Sequence, residues 1–334
     1  MTGLRIPRLD APDAILEGEV RARLGEVEHA LAKAVEAESE VLSESSAYLL
    51  EAGGKRFRPM LVLLAGYFGD PSDTRLIPGA VAIELTHLAT LYHDDVIDEA
   101  DSRRGIASAN SRWDNTVAIL TGDYLFARAS EISSDLGTEV TRLLAKTIAT
   151  VCDGQIREVA AAGRVDQSEE DYLKTIARKT AALIATSCRL GGMLSDSPAE
   201  HLDALEGFGE ALGTAFQLSD DIMDVTSTSS QLGKEPGIDL KEGVYTLPVL
   251  HALGQDGQGE ELRGLLEPGP PDGGPLERAL EIVRGDGSLD YARRAVSAQV
   301  GRAKERAALL PEGRARMALL QLAEFLAIRC GAEV

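Results

Sequence analysis

Three aspartates at helical spacing, Asp94, Asp95 and Asp98, stand at the end of an apolar stretch. On a helix with about 3.6 residues per turn, Asp94 and Asp98 lie on one face with Asp95 beside them. Carboxylates this close repel one another, so the arrangement favours a bound cation. Oxygen ligands suit Mg²⁺, which takes few protein carboxylates and also binds substrate phosphate. Arg103 and Arg104 follow closely and offer forked hydrogen-bond donors to the same phosphate.

The same spacing occurs a second time, as Asp220, Asp221 and Asp224 after another apolar stretch. A single Asp-Asp-x-x-Asp in so acidic a chain is equally expected of a solvated helix end. Two copies that each end an apolar helix are hard to explain in that way. Placed opposite each other in a helical bundle, the two triads could hold several Mg²⁺ ions on one diphosphate.

The composition of the chain favours helices. Its 334 residues are enough for one large core or two ordinary ones. Hydrophobic residues make up 44% of the chain and aromatic residues only 4%, with much Ala and Leu. No convincing stretch alternates Val, Ile, Thr and aromatic residues in the way a strand requires. We therefore predict an almost wholly α protein.

The net charge and the cysteine content restrict which partners the protein is expected to bind and in which compartment it is expected to work. The formal net charge of −20 argues against binding nucleic acid or an anionic membrane surface. Cys152, Cys188 and Cys330 are widely separated, which is typical of reduced structural cysteines in a cytosolic protein. The N-terminus lacks the apolar core of a signal peptide, and no apolar run reaches the roughly 18 residues of a membrane span. We expect a cytoplasmic protein without a transmembrane segment.

We predict a single domain over residues 1–334, in which residues 1–12 are a loose lead-in. Residues 14–52 have a helical pattern, with a break or cap at residues 43–46. Residues 254–275 are rich in Gly and Pro and are predicted to be a surface loop. The remaining chain is predicted to be mainly helical and carries both triads.

Two further stretches could bind an anion or cover a site. Lys55 and Arg58 lie in the turn Gly54–Pro59, and basic residues at the start of a helix favour an anion. An ordinary basic surface turn would have the same sequence. Residues 226–241 are polar and rich in Ser and Gly, which predicts a flap that closes over the metal site. An ordinary connection is the alternative.

Together these residues resemble the trans-prenyl diphosphate synthases, the family that condenses isopentenyl diphosphate onto allylic diphosphates. The resemblance covers most of the chain, and its specific motifs occur in the family's order. They are Gly54–Pro59, the first triad with Arg103-Arg104-Gly105, Lys179-Thr180, Gln217 before the second triad, Gly233-Lys234, Asp239-Leu240 and Thr246-Leu247-Pro248. The resemblance implies an all-α, isoprenoid-synthase-type helical bundle around a central active-site cavity, in a protein that is usually a homodimer.

The resemblance also implies a role for each motif, because the site must stabilise the negative charge that grows on the diphosphate as the allylic C–O bond ionises. The Mg²⁺ ions, three by family analogy, would be held by Asp94, Asp95, Asp98, Asp220, Asp221 and Asp224. The allylic diphosphate would be held by Arg103, Lys179 and Lys234. Isopentenyl diphosphate would be held by Lys55, Arg58, His87 and Arg104. The reacting carbons or the leaving group would lie near Thr180 and Gln217.

Two positions carry less weight than the motifs. His87 lies two helical turns before Asp94 and close to the same face, although a lone histidine on an apolar helix is more often a core residue. Val244 stands where the family often has a lysine. One diphosphate contact is therefore absent or comes from elsewhere, such as Lys241.

The product length should depend on the side chains below the first triad. Each helical turn toward the N-terminus descends about 5.4 Å, roughly one isoprene unit. Thr90 and Ala89 lie four and five residues before Asp94, and Thr86 lies one turn further. Short-chain members of the family commonly carry an aromatic residue at one of the first two positions. The small residues here, continued by Ala82, favour a long-chain all-trans product of about six to ten isoprene units (C30–C50) by family analogy.

Three other functions stay open. The nearest is a short-chain farnesyl or geranylgeranyl diphosphate synthase whose cavity is closed by another helix. A class I terpene cyclase would share the fold and the metals, but it usually pairs one aspartate motif with an Asn/Ser/Glu metal motif. A non-catalytic partner subunit of a heteromeric synthase would be expected to lose aspartates, whereas both triads are intact. The second triad and the isopentenyl-binding residues favour the synthase.

Overall fold

The computed structural model describes residues 14–226, 236–285 and 287–334. In these residues nearly all regular structure is helical, as predicted, and none of the helices combines the length and the apolar character that a membrane crossing needs. The predicted lead-in and residues 227–235 of the predicted flap, with Lys234, lie outside the described ranges. The elements are α1 (Ala14–Ala34), α2 (Glu40–Glu51), α3 (Phe57–Gly66), α4 (Leu76–Ile97), β1 (Ser102–Arg103), β2 (Ile106–Ala107), α5 (Ala109–Arg112), α6 (Asn115–Asp135), α7 (Thr138–Ala161), α8 (Glu169–Ile176), a π-helical turn (Ala177–Ala181), α9 (Ala182–Leu194), α10 (Ala199–Thr226), α11 (Ile238–Lys241), α12 (Leu247–Leu253), α13 (Gln258–Leu266), α14 (Gly273–Gly285), α15 (Ser288–Ala307) and α16 (Arg314–Cys330).

The described residues form two compact units. The first comprises the described residues up to Ile148 together with Leu183–Gly207 and Ala307–Leu319. The second comprises Ala149–Ala182, the described part of Phe208–Arg306, and Leu320–Val334. The first unit carries the Asp94 triad and the second carries the Asp220 triad, so each unit is described by its own contacts.

The long helix α4 is central to the core of the first unit. Every residue from Gly79 to Thr86 is buried, so this half of the helix is enclosed on all sides. Helix α9 comes so close to it that an added Cβ at Gly79 would lie 2.2 Å from Cδ1 of Leu194. Near its other end, the buried Tyr92 donates a hydrogen bond to the carbonyl of Ser45 on α2. These contacts fix the helix whose last turn carries the first triad.

A short β-hairpin follows the first triad and positions the two arginines. Its strands pair antiparallel, with Arg103 opposite Ile106. Arg104 and Gly105 form the turn, and their φ angles of 54° and 79° are typical of a type I′ turn. The tight turn separates the directions of the two side chains, so Arg103 and Arg104 have different partners.

The second unit contains the end of α10 with the second triad. Ser168 begins α8 by accepting a hydrogen bond from the backbone N–H of Asp171 at 3.1 Å, the usual role of an N-cap serine. Helix α8 then runs directly into the π-helical turn, which carries Lys179 and Thr180. Single π-helical turns are uncommon and occur frequently at functional sites.

The predicted break at residues 43–46 is wrong. The first helical stretch is interrupted between Ala34 and Glu40 instead. Ser45 and Ser46 are buried inside α2, where Ser46 Oγ donates to the carbonyl of Val35 at 2.8 Å. A serine can satisfy its hydroxyl within a helix and its neighbours, so the polar residue type did not mark a helix end.

The prediction that residues 254–275 are a loop is also wrong, because they contain α13 and the start of α14. Leu262 and Leu266 are fully buried on one face of α13, and this burial stabilises the helix. The Gly and Pro residues that suggested a loop lie mainly at the two ends of α13, where the chain turns.

Candidate active site

The first aspartate triad ends α4, and its three carboxylates differ in environment. Asp94 is half-buried, Asp95 is buried and Asp98 is exposed. Asp95 Oδ1 accepts a hydrogen bond from Arg103 Nε at 2.6 Å, whereas its buried Oδ2 has no partner among the described residues. Burial raises the pKa of Asp95, although Arg103 opposes the shift. A buried carboxylate oxygen without a donor favours the approach of a cation.

Arg58, His87 and Arg104 form a basic group in the same unit. Arg58 Nε is buried without a hydrogen-bond partner in the described ranges, and burial lowers the pKa of Arg58 to about 10, which leaves it charged. Arg104 donates to the carbonyl of Leu49 at 2.6 Å. Burial, followed by the charges of Arg58 and Arg104, lowers the pKa of His87 well below 6.5, so its ring is neutral near pH 7. Lys55 is exposed nearby in sequence. Gathered positive charge of this kind favours an anion.

Arg56 is a structural arginine that sequence analysis did not single out. Its backbone lies in the left-handed region, with φ at 45°, and its side chain is buried. It donates to Glu28 at 2.5 Å and to the buried Glu84 of α4 at 3.1 Å. Arg56 therefore ties the basic turn to α1 and α4. The available sequence signal was Glu84, an acidic residue within an otherwise apolar stretch.

Replacing Arg56 with Met should lower the free energy of unfolding by about 3–5 kcal/mol, because the buried Glu84 would lose its hydrogen-bonded ion pair with Arg56. The exposed pair of Arg21 and Glu17 offers a matched control, and Arg21→Met should cost about 0.5 kcal/mol or less. Urea unfolding followed by circular dichroism measures both losses. Equal losses in the two variants would contradict the structural role of Arg56.

In the second triad, Asp220 and Asp224 both contact other elements of the unit. Asp220 Oδ1 accepts a hydrogen bond from Arg329 Nη2 at 2.5 Å. Asp224 accepts from the backbone N–H groups of Ile238 at 3.2 Å and Asp239 at 3.3 Å, which connects the triad to α11. Sequence analysis missed Arg329, because nothing in its local sequence on α16 marks it as a partner of an aspartate.

Asp221 is the buried member of this triad and lies at the centre of a hydrogen-bonded chain. Thr180 Oγ1 donates to Gln217 Oε1 at 2.9 Å, and Gln217 Nε2 donates to Asp221 Oδ1 at 2.9 Å. The hydroxyl of Tyr172 donates to Asp221 Oδ2. Burial raises the pKa of Asp221 to about 7, although both donors oppose the shift. The structure thus brings the predicted residues Thr180 and Gln217 into contact and adds Tyr172, which sequence analysis missed.

The π-helical turn with Lys179 and Thr180 lies directly against α7. An added Cβ at Gly154 would lie 2.4 Å from the backbone N of Lys179 and 2.8 Å from its Cα. One turn further along α7, Glu158 forms an ion pair with Lys179 Nζ. Because the close contact is with backbone atoms, only glycine at position 154 fits without moving the turn.

Gly154→Ala should lower the free energy of unfolding by about 1–3 kcal/mol, because the added methyl group displaces the π-helical turn. Gly25→Ala on α1 is the control, since no atom lies within 4 Å of its added Cβ. That variant should gain about 0.5–1 kcal/mol from the higher helix propensity of alanine. Thermal unfolding compares the two. A Gly154→Ala protein as stable as Gly25→Ala would contradict the tight packing.

The residues predicted to set product length all lie on α4. Ala89 and Thr86 are buried, and Thr90 is half-buried. Thr86 Oγ1 donates to the carbonyl of Ala82 at 2.8 Å, and Thr90 Oγ1 donates to the carbonyl of His87 at 2.7 Å. Both hydroxyls are therefore satisfied within the helix.

Val244, the position that departs from the family pattern, and Lys241, the residue that could supply the missing contact, lie in the second unit. The backbone N–H of Val244 donates to the carbonyl of Asp239 at 2.7 Å. Lys241 Nζ lies 3.4 Å from a carboxylate oxygen of the exposed Asp272. A contact between Lys241 and a diphosphate stays a prediction.

The predicted site residues that the structure describes are divided between the two units. The first unit carries Lys55, Arg58, His87, Asp94, Asp95, Asp98, Arg103 and Arg104. The second carries Lys179, Thr180, Gln217, Asp220, Asp221 and Asp224. No three His, Cys, Asp or Glu side chains in the described ranges form a ready-made metal cage. Mg²⁺ does not need one, since one or two carboxylates bind it together with water and substrate phosphate. The all-oxygen donors and the unpartnered Asp95 Oδ2 fit this ion.

The all-α fold, two aspartate triads and a basic group are typical of a helical enzyme that handles phosphorylated substrates. Residues 39–283 match the polyprenyl synthetase family. The chain is 42% identical to the nonaprenyl diphosphate synthase of Mycobacterium tuberculosis over 325 residues, 97% of each chain. It is 48% identical to the heptaprenyl diphosphate synthase component 2 of Geobacillus stearothermophilus over 234 residues, 70% of this chain and 73% of the relative.

Comparison with a solved structure also supports membership of this family. The geranylgeranyl pyrophosphate synthase of Corynebacterium glutamicum, complexed with calcium and isoprenyl diphosphate, superimposes with a TM-score of 0.86 at 41% identity, over 96% of this chain and 99% of that one. The chain therefore belongs to the polyprenyl synthetase family and is a trans-prenyltransferase. The predicted family, fold class and enzyme class are confirmed.

Proposed function

We propose that the chain is a Mg²⁺-dependent enzyme that adds isopentenyl diphosphate head-to-tail to an allylic diphosphate and releases a long-chain all-trans polyprenyl diphosphate (C30–C50). The observation that carries the long product is the small side chains of Ala89 and Thr90 below Asp94, where an aromatic residue would stop growth. The names of the nonaprenyl and heptaprenyl relatives support it. A short-chain product is the alternative, because the similar Corynebacterium structure is that of a geranylgeranyl pyrophosphate synthase.

The basic residues would divide between the two diphosphates. Arg103, Lys179 and Lys234 would bind the allylic diphosphate, and Lys55, Arg58, His87 and Arg104 would bind isopentenyl diphosphate. Because the pKa of His87 is lowered, its neutral ring would contribute a hydrogen bond rather than a charge. Lys179 would exchange its ion pair with Glu158 for the phosphate oxygens.

The reaction breaks the allylic C–O bond and forms a C–C bond. The bonding electrons of the C–O bond leave with the diphosphate, and the double bond of isopentenyl diphosphate attacks the resulting carbocation. The oxygens of Thr180 and Gln217 would stabilise the positive charge on carbon. The new cation then loses a proton, which we assign to the released diphosphate, and a double bond forms.

The oxygen donors at the ends of α4 and α10 suit Mg²⁺. The ions, three by the family resemblance, would be held by Asp94, Asp95, Asp98, Asp220 and Asp224. The sixth predicted ligand, Asp221, is left out of this set, because both of its oxygens already accept hydrogen bonds from Tyr172 and Gln217. When bound, Mg²⁺ neutralises the negative charge that develops on the leaving diphosphate. The carboxylates would orient the ions, and the arginine and lysine side chains would bind the phosphate oxygens directly.

We also propose that the chain forms one polyprenyl synthetase domain over 1–334 and works as a cytoplasmic homodimer. The family match includes residues of both units. The free cysteines Cys152, Cys188 and Cys330 favour a reducing compartment. The name "component 2" of the Geobacillus relative favours a second possibility, in which a partner subunit is required. Light scattering on the purified chain, combined with an activity assay, distinguishes an active homodimer from an inactive component.

The activity is tested with the purified chain, Mg²⁺, isopentenyl diphosphate and farnesyl diphosphate. We expect release of inorganic diphosphate and incorporation of isopentenyl units, which EDTA abolishes and excess Mg²⁺ restores. Failure to condense any allylic primer would refute the proposal. A cyclic product formed without isopentenyl diphosphate would then indicate a cyclase.

A further inference from the structure

Tyr172 is a buried tyrosine to which the proposed reaction gives no part. It lies on α8, is 4% exposed, and donates its hydroxyl hydrogen bond to Asp221 Oδ2. The other oxygen, Asp221 Oδ1, accepts from Gln217 Nε2 at 2.9 Å. Asp221 itself is only 2% exposed. Both oxygens of this aspartate are therefore engaged by uncharged donors inside the protein, unlike the more exposed Asp220 and Asp224.

These contacts decide which way the Gln217 amide faces. A glutamine amide has a donor end and an acceptor end, and its orientation follows from its partners. Tyr172 supplies a donor to one oxygen of Asp221 and leaves the other oxygen to accept from Gln217. In this network the Nε2 end of the amide points at Asp221 and the Oε1 end points at Thr180.

The orientation continues to Thr180. Gln217 Oε1 accepts the hydrogen bond from Thr180 Oγ1 at 2.9 Å, so the hydroxyl proton of Thr180 is already donated to the amide. Thr180 Oγ1 and Gln217 Oε1 can then offer only lone pairs to any further group. Oxygen lone pairs stabilise a developing cation, whereas a reversed amide would place its N–H groups there and oppose one.

Packing holds the backbone at this position. Thr180 lies in the π-helical turn between the close contacts at Gly154 and Gly213. An added Cβ at Gly213 would lie 2.5 Å from Cα of Ala181. These contacts fix the position of the backbone. The side chains then determine only the direction of the hydrogen bonds.

We propose that Tyr172 is a positioning residue, which acts through Asp221 to orient the Gln217 amide. The amide in turn directs the Thr180 hydroxyl so that both oxygens favour the allylic carbocation. The inference rests on the proposed function and deepens it. It also assigns Asp221 to this hydrogen-bonded chain rather than to Mg²⁺, in contrast to the other aspartates of the two triads.

Tyr172→Phe tests the hydroxyl without removing the ring. Tyr245→Phe is the matched control, because Tyr245 is also buried and its hydroxyl donates to a backbone carbonyl, that of Leu266, at 3.3 Å. In assays with Mg²⁺, isopentenyl diphosphate and farnesyl diphosphate, Tyr172→Phe should lower kcat about 10-fold or more. The KM values and the Mg²⁺ concentration for half-maximal rate should stay unchanged. Tyr245→Phe should keep the wild-type kcat.

A double-mutant cycle with Gln217→Leu separates positioning from a general loss of packing. In the Gln217→Leu background, Tyr172→Phe should cause no further loss of kcat, because the orientation it protects no longer exists. Wild-type kcat in Tyr172→Phe, or a full further loss in the Gln217→Leu background, would overturn the inference. An inactive wild-type chain would instead overturn the proposed function.

Binding of Mg²⁺ with inorganic diphosphate, measured by calorimetry without prenyl substrates, tests the assignment of Asp221. Asp221→Asn should weaken binding only slightly, about 3-fold or less, through the loss of a nearby charge, whereas Asp220→Asn should weaken it at least about 10-fold. Binding by Asp221→Asn as weak as that by Asp220→Asn would make Asp221 a metal ligand and overturn the inference. This comparison tests the assignment of Asp221 even if Tyr172→Phe unfolds below the assay temperature.

Discussion

Asp94→Asn and Asp220→Asn should each lower kcat by at least about 10³-fold at saturating Mg²⁺. Each substitution keeps the size of the side chain and one oxygen, but it removes the negative charge on which a divalent cation depends. Without that charge, the leaving diphosphate is poorly stabilised as the allylic C–O bond ionises. Incorporation of labelled isopentenyl diphosphate measures the loss, and circular dichroism checks that the variants fold.

Asp166→Asn is the control for these two variants. Asp166 is exposed and pairs with Arg164 at 3.1 Å, outside both triads, so its loss should leave kcat unchanged. If either triad variant kept more than about a tenth of the wild-type kcat, the role of the triads in stabilising the leaving group would be contradicted.

Thr90→Phe should shorten the product from C30 or longer to C15 or C20. Thr90 lies one helical turn before Asp94, about 6 Å along α4, and a ring there would meet the growing chain after the first added units. The position is half-buried, so it accommodates a larger side chain better than the fully buried Ala89. Mass spectrometry of the products from a geranyl primer measures the shift.

Thr90→Val controls for loss of the hydroxyl, which donates only to the backbone carbonyl of His87. Its volume is nearly that of threonine, so the product should stay long. Ala89→Phe tests the neighbouring position and should shorten the product if the variant folds. Unchanged product length in both folded phenylalanine variants would show that α4 does not limit the chain.

Much of the candidate site can be proposed from the sequence alone, because its residues lie in short local motifs. The spacing of Asp94 to Asp98, and of Asp220 to Asp224, is readable on a single helix. The Lys179-Thr180 pair and the Gly54–Pro59 turn are likewise contiguous in sequence. Apolar patterning and composition were sufficient for the all-α fold, because helix formation depends largely on residues a few positions apart.

The supporting contacts could not be predicted because they join distant parts of the chain. Arg56 reaches Glu28 and Glu84, each 28 residues away. Asp220 meets Arg329 across 109 residues, and Tyr172 meets Asp221 across 49. Single residues of this kind have no local pattern, and their partners become evident only after the helices pack.

In two segments the residue types predicted the wrong local structure, and the reason is the same in both. The serines near residue 45 look like a helix end, but their hydroxyls find partners inside the core. The glycines and prolines of 254–275 suggest a loop, but Leu262 and Leu266 bury one face of a helix between them. In both segments tertiary burial outweighed the local propensity.

The length of the product made by the purified wild-type chain tests the central claim most directly. The chain is incubated with Mg²⁺, excess isopentenyl diphosphate and, separately, C5 to C20 allylic diphosphates, and the products are measured by mass. The small side chains of Ala89 and Thr90 on α4 predict products of C30 or longer from a farnesyl or geranylgeranyl primer. Arrest at C15 or C20 with every primer would contradict a long-chain synthase.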